Sequence, residues 1–216
     1  MTDTLKGKNR RLLALFAAAN AGAAAFLTAG LPAATHWTVV ARALAVPGLS
    51  ALIVGVATWV LPARVKETLV FWRVGPSRLP SSRAFSKIAK NDPRIDTNRL
   101  RKRLGEFPRT ATAQTAKWYA LYRLHVTEPA VVDPHRAFLL FRDMAALSVL
   151  MLVLLGPLML LMNLPLQRVL AASLGLGLEY VLLAVAAANA GARLVANVLA
   201  IEASAPQSDK PHSDPV

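Results

Sequence analysis

The chain has 216 residues, 55% of them hydrophobic, a mean hydropathy of +0.42 and a formal charge of +13. It contains no cysteine, which excludes disulfide frameworks, thiolate zinc sites, iron–sulfur clusters and cysteine nucleophiles together. The apolar residues collect in two blocks, about 12–61 and 144–201, with a polar stretch between them; this clustering predicts an all-α, polytopic membrane protein rather than a soluble globule.

Residues 1–11 form a basic N-terminus with Lys6, Lys8, Arg10 and Arg11. A spanning helix needs ~20 mainly apolar residues, and a first span at about 12–31 meets this with Asn20 as its only strongly polar member. The alternative is a signal peptide cleaved near Pro32-Ala33-Ala34, which calls for an apolar run of ~7–15 residues. The run here is longer, and cleavage would leave three spans with the polar stretch on the same side. A second span at about 38–61 closes a transmembrane hairpin over 12–62. It contains Pro47-Gly48 and must start near Trp37 to be long enough, so that Arg42 snorkels toward the interface. Trp37 and Trp59 flank it as aromatic belts do.

Residues 63–142 carry 12 Arg and 5 Lys against 6 acids and are expected to form a basic helical cytoplasmic module between spans two and three. Residues 64–73 continue helically, with Val65, Leu69 and Trp72 spaced to lie on the membrane surface, until Gly75 to Ser82 interrupts them. Asp96 or Thr97 can cap a short helix, Asn98–Leu104, closed by Gly105. Thr110 or Thr112 can cap another, running to about His125. Trp118, Leu121, Tyr122 and His125 share one face of it. Glu128-Pro129 then opens a helix that continues through Phe138, Phe141 and Arg142 into the third span. A polar stretch of about 80 residues buries only a modest core alone, so it is expected to lean on the membrane or on a partner. Residues 143–201 form the second hairpin, with spans at about 144–162 and 169–189, and 202–216 read as a disordered tail. The positive-inside rule places the N-terminus, the basic loop and the C-terminus in the cytoplasm.

RAFSK (83–87), DPRID (92–96), Gln114 with WYALYRLH (118–125) and VVDPHRAFLLFRD (131–143) resemble a family of small bacterial multi-pass inner-membrane proteins of unknown function. The likeness covers about residues 62–145. It implies the architecture above and a bacterial inner-membrane location, and transfers no catalytic residue. Abundant Ala, Leu and Arg fit a GC-rich bacterial source.

Three groups of residues carry candidate chemistry. Glu179 lies near the middle of the fourth span, where a charged side chain is costly and faces the bundle interior. At 1.5 Å per residue Asn20 and Glu179 both lie at a depth of ~13–15 Å, so a hydrogen bond between them is geometrically possible. The sharp reading is a carboxylate that handles protons or cations; without a second acid, His or Lys in the spans, the favoured reading is a protonated Glu179 that joins two helices. Ala18-Gly22 and Ala184-Ala188-Ala192 have the small-xxx-small spacing of tight helix pairs, within a bundle or a homo-oligomer. Asp133, His135, His125, Glu128 and Asp143 lack recognisable ligand spacing, so neither a metal nor another cofactor is expected. No hydrolase or phosphate-loop motif is present, and no enzymatic activity is expected.

Arg99, Arg101, Lys102 and Arg103 lie on the short basic helix, flanked by Arg94 and Arg109. Arg64, Lys66 and Arg73 sit at the membrane boundary. Juxtamembrane cations gain ~1 kcal/mol each near an anionic leaflet, and Arg forks match phosphate oxygens. The leading expectation is a non-enzymatic membrane protein whose loop docks a protein partner, anionic lipid headgroups or a phosphorylated ligand. Nucleic-acid binding is disfavoured because Trp118, Tyr119 and Tyr122 read as packing residues. The alternative function is a pore-forming or permeability-altering protein that uses Glu179.

Overall fold

The computed structural model describes residues 5–29, 61–161 and 163–205. Regular structure in these residues is helical throughout: α1 (Leu5–Ala29), α2 (Ala63–Phe71), α3 (Ala89–Asn91), α4 (Thr97–Leu104), α5 (Ala111–Leu124), α6 (Pro129–Leu161) and α7 (Leu166–Ser204). The expected second span, with Trp37, Arg42, Pro47 and Trp59, lies outside the described residues. So does the tail beyond Ala205.

Two helices, α6 and α7, are long and apolar enough to cross a membrane. Their most apolar stretches are only 33% and 22% buried within the protein. Val153, Leu154, Leu158, Leu174, Leu178 and Leu182 face outward. Exposed apolar surface on this scale is unfavourable in water, and helices satisfy their own backbone groups in lipid. Two outward-facing apolar helices of this kind support membrane association.

The described residues divide into two compact units. One comprises those up to Arg73 together with Arg136–Asn189; the other comprises Val74–His135 and the residues from Ala190 onward. In the first unit, α1 runs parallel to α6. Asn9 exchanges hydrogen bonds with Arg136 (Nδ2 to the carbonyl 2.9 Å, Arg136 Nε to Oδ1 3.0 Å), and Leu13 packs on Leu147 with Phe16, Leu140 and Met144 around them. The α7 segment is antiparallel to α6, with Met159 against Val169 and Ala172. Helix α2 lies antiparallel along α6: Lys66 meets Asp143, and Phe71 stacks on Phe138 at 6.0 Å. Its buried face is Lys66 and Val70, one turn apart, whereas Val65 and Trp72 are exposed. Trp72 ends α2 in the left-handed conformation (φ 49°), its N–H closing on the Thr68 carbonyl.

The second unit starts with two 3-10 turns, Gly75–Ser77 and Pro80–Arg83, each led by a proline at a position where no donor is needed. A π-turn, Ala84–Ile88, leads into α3. Gln114 explains the wide turn. Buried within α5, its Oε1 accepts from the Phe85 N–H, the Ser86 N–H and the Ser86 hydroxyl, each at 3.1 Å, so donors freed by the turn are satisfied. The expected caps are present: Asp96 accepts from the amides of Asn98 and Arg99, Gly105 (φ 72°) closes α4, and Thr110 accepts from Ala113.

The core of this unit contains Phe85, Ile95, Leu100, Trp118, Leu121 and Val131, closed by Leu194, Val195, Val198, Leu199 and Ala203 from the end of α7. This corrects two sequence-based expectations. The basic stretch leans on the chain's own last helix. Residues 202–204 belong to that helix rather than to a disordered tail, with Glu202 and Ala203 buried. Beyond the apolar span, α7 is amphipathic: 194, 195, 198, 199 and 203 recur at helical spacing and face the core.

Candidate functional site

The six basic residues expected to form a ligand surface fall into two groups. Arg94 chelates Asp92 (Nε to Oδ1 3.0 Å, Nη2 to Oδ2 2.7 Å) and gives Nη1 to Asn197 Oδ1 at 3.0 Å. Arg103 binds Glu202 (Nε to Oε1 3.1 Å, Nη2 to Oε1 3.0 Å) and the Ala205 carbonyl. Both thereby tie parts of the unit together, Arg94 from an exposed position and Arg103 from a partly buried one. The other four are also at the surface. On α4, Leu100 anchors the inner face while Arg99, Arg101 and Lys102 are exposed, and Arg109 is exposed before α5. Arg101 lies over the Phe107 ring at 5.2 Å, which limits the rotamers it must give up on binding.

Glu202 is a centre that charge spacing did not disclose. His125 Nε2 lies 3.0 Å from Oε2, opposite the Arg103 contacts on Oε1. Burial raises the carboxyl pKa, but the hydrogen bonds from His125 and Arg103 outweigh it and hold the group below its ordinary range. Asp92 is likewise lowered, first by the Arg94 side-chain hydrogen bond. His125, expected to end an aromatic packing stripe, is thus a hydrogen-bond partner of Glu202. On the same helix Trp118 stacks on Tyr122 at 5.5 Å, and the Tyr122 hydroxyl lies 2.9 Å from His135 Nδ1.

The first unit has its own polar centres. The expected Asn20–Glu179 bond is present: Asn20 Nδ2 donates to both carboxylate oxygens at 3.2 and 3.3 Å and to the Phe16 carbonyl at 3.2 Å. Ser148, which the sequence reading did not single out, approaches Glu179 Oε1 at 2.7 Å. Its neighbour one turn back is the Met144 carbonyl, at 3.1 Å. A cleft of about 260 Å³ opens beside Asn20 and Glu179. Further along α6, Asp143 receives Lys66 at 3.3 Å and Arg142 at 3.0 Å, all three side chains less than a tenth exposed. Lys66 was expected at the lipid surface. The Asp143 carboxylate instead draws it inside, since a buried cation requires an opposite charge. Tyr180 donates to the Leu69 carbonyl at 2.7 Å and accepts from Trp72 Nε1 at 2.8 Å.

No group of three or more His, Asp or Glu residues poised to hold a metal ion occurs among the described residues. Comparison of the chain with protein-family models, with curated proteins and with solved structures gives no match.

Proposed function

We propose that this is a multi-pass inner-membrane protein of bacterial type, with four spans and both termini cytoplasmic, whose compact basic module docks a phosphate-bearing anionic partner. In this reading the apolar helices are the anchor and the module is the working part. The observation that carries it is the sorting of the cations. Arg94 and Arg103 are held in ion pairs with Asp92 and Glu202, whereas Arg99, Arg101, Lys102 and Arg109 stay exposed around α4. Among its described residues the second unit holds thirteen Lys and Arg against six Asp and Glu. Arginine suits such a surface because its planar fork meets phosphate oxygens in two parallel hydrogen bonds.

The test uses the full chain in zwitterionic nanodiscs and vesicles that carry an anionic phospholipid. Capture is expected to weaken with salt, because exposed charges are screened within ~8–10 Å at 0.1–0.15 M ionic strength. Replacing Arg99, Arg101, Lys102 and Arg109 together with Gln is expected to reduce capture at least ~10-fold, given ~1 kcal/mol for each cation near an anionic surface. Arg103 is kept, since it secures Glu202. Capture that is unchanged in the fourfold variant at low salt rules out the docking surface.

A further inference from the structure

We propose that the cleft beside Glu179 is a binding site for a small organic cation, its ammonium group against Glu179 and Asn20 and its hydrocarbon body along the Ala/Gly wall. The site lies in the first unit and is independent of the basic docking surface.

Three observations select this ligand class. The first is charge. Glu179 accepts hydrogen bonds only from neutral donors, Asn20 and Ser148, and forms no ion pair among the described residues. A buried carboxyl group is either protonated or paired with an opposite charge, and an ammonium ligand supplies that charge. The Asn20 nitrogen is committed to Phe16 and Glu179, and its oxygen accepts from no described residue; it is a second acceptor for an ammonium group.

The second is the wall. Ala23, Ala171, Ala172, Gly175 and Leu176 complete the lining and offer hydrocarbon only, because their backbone groups are engaged in helices. A bare hard cation takes ~6–8 oxygen ligands, which this wall does not supply. An alkyl or aryl body is matched to it.

The third is size. At about 260 Å³ the cleft falls just below the ~300–1,000 Å³ of sites for drug-sized molecules, so the ligand is small. The space exists because the wall is built from minimal side chains: a Cβ on Gly175 would meet nothing within 4 Å.

Benzylamine, protonated at neutral pH and so a donor of N–H hydrogen bonds, is the probe, titrated calorimetrically into the full chain in dodecyl maltoside, a detergent without an ammonium group. Saturable binding is expected. Glu179→Gln keeps the shape and the hydrogen bonds to Asn20 and Ser148 but removes the charge, and is expected to weaken binding ~10–100-fold. Gly175→Leu keeps Glu179, fits the backbone without a clash and fills the cleft; it is expected to weaken binding to a similar extent. Benzyl alcohol, which has the ring without the charge, is expected to bind far more weakly. The proposal fails if no saturable binding occurs in the millimolar range. It also fails if Glu179→Gln binds like the unaltered chain, or if benzyl alcohol binds equally well. Absence of amine binding together with a change in oligomeric state in Gly175→Leu would show that the cleft seats a second copy of the chain, and would overturn the proposal as well.

Discussion

Glu202 accepts from His125 on one oxygen and from Arg103 on the other, and its folded pKa lies below the ordinary carboxylate value. A carboxyl group lowered on folding contributes stability that is fully present above its unfolded pKa, near ~4.3, and is lost as pH falls through the folded one. Melting of the second unit is therefore expected to weaken as pH drops below about 4.3, with Glu202→Gln showing a shallower acid limb and, at neutral pH, a loss of about 2 kcal/mol. Thermal melts across this range in both proteins check it; identical acid limbs would remove Glu202 from the account. Asp92 shifts in the same direction through Arg94, so the variant should retain part of the acid sensitivity. At this scale the sequence supplied the residue types but not their pairing. Arg103 and Arg99 look alike in the run NRLRKRL. Only their places around Leu100 decide that one meets Glu202 while the other meets solvent.

Helix α6 runs unbroken from Pro129 to Leu161 although Pro134 lies inside it. A proline has no N–H, so the carbonyl four residues back, that of Ala130, loses its helical partner. Asn197 Nδ2 on α7 donates to that carbonyl at 2.6 Å, and Asn197 Oδ1 accepts from Arg94. One amide thus repairs the proline gap and joins the DPRID turn to both long helices. Asn197→Ala is expected to destabilise the unit by about 1 kcal/mol, because Ala130 lies near solvent and water can substitute in part. In a Pro134→Ala background, where a backbone N–H reaches the same carbonyl, that cost should fall; urea unfolding of the four proteins in detergent measures the coupling. Equal costs in both backgrounds would show that the hydrogen bond to Ala130 contributes nothing. The motifs singled out in the sequence acquire physical meaning here. RAFSK supplies the turn that Gln114 satisfies, DPRID contains the Asp92–Arg94 clamp and the Asp96 cap, and VVDPHRAFLLFRD contains Val131, Pro134 and the Arg142–Asp143 pair. These are structural roles, consistent with a module built to hold a shape.

At the scale of the whole molecule, the outward leucines of α7 make the membrane reading measurable. The chain has no cysteine, so single cysteines report without background. Cysteine at Leu174 or Leu178, both more than 60% exposed, is expected to resist an aqueous maleimide in intact membranes, and a nitroxide there should relax with oxygen rather than with a nickel complex. Cysteine at Arg109, which is exposed, should react fully with the aqueous reagent once both faces are accessible. Rapid aqueous labelling at positions 174 and 178 would contradict burial of this surface in lipid.

By itself the sequence determined the helical class, the apolar stretches of α6 and α7, the caps at Asp96, Gly105 and Thr110, and the inward stripe of α5. Those features depend on hydrophobic spacing and on side-chain-to-backbone bonds within a few residues. The Asn20–Glu179 bond was also legible, because helical rise converts residue number into depth. The tertiary structure alone decided that residues 194–203 close the core of the basic module. It likewise decided that Ser148 joins Glu179, that Lys66 turns inward to Asp143, and that Arg103 meets Glu202. Each of these pairs residues far apart in the chain, and side-chain chemistry states what a residue needs without saying which neighbour supplies it.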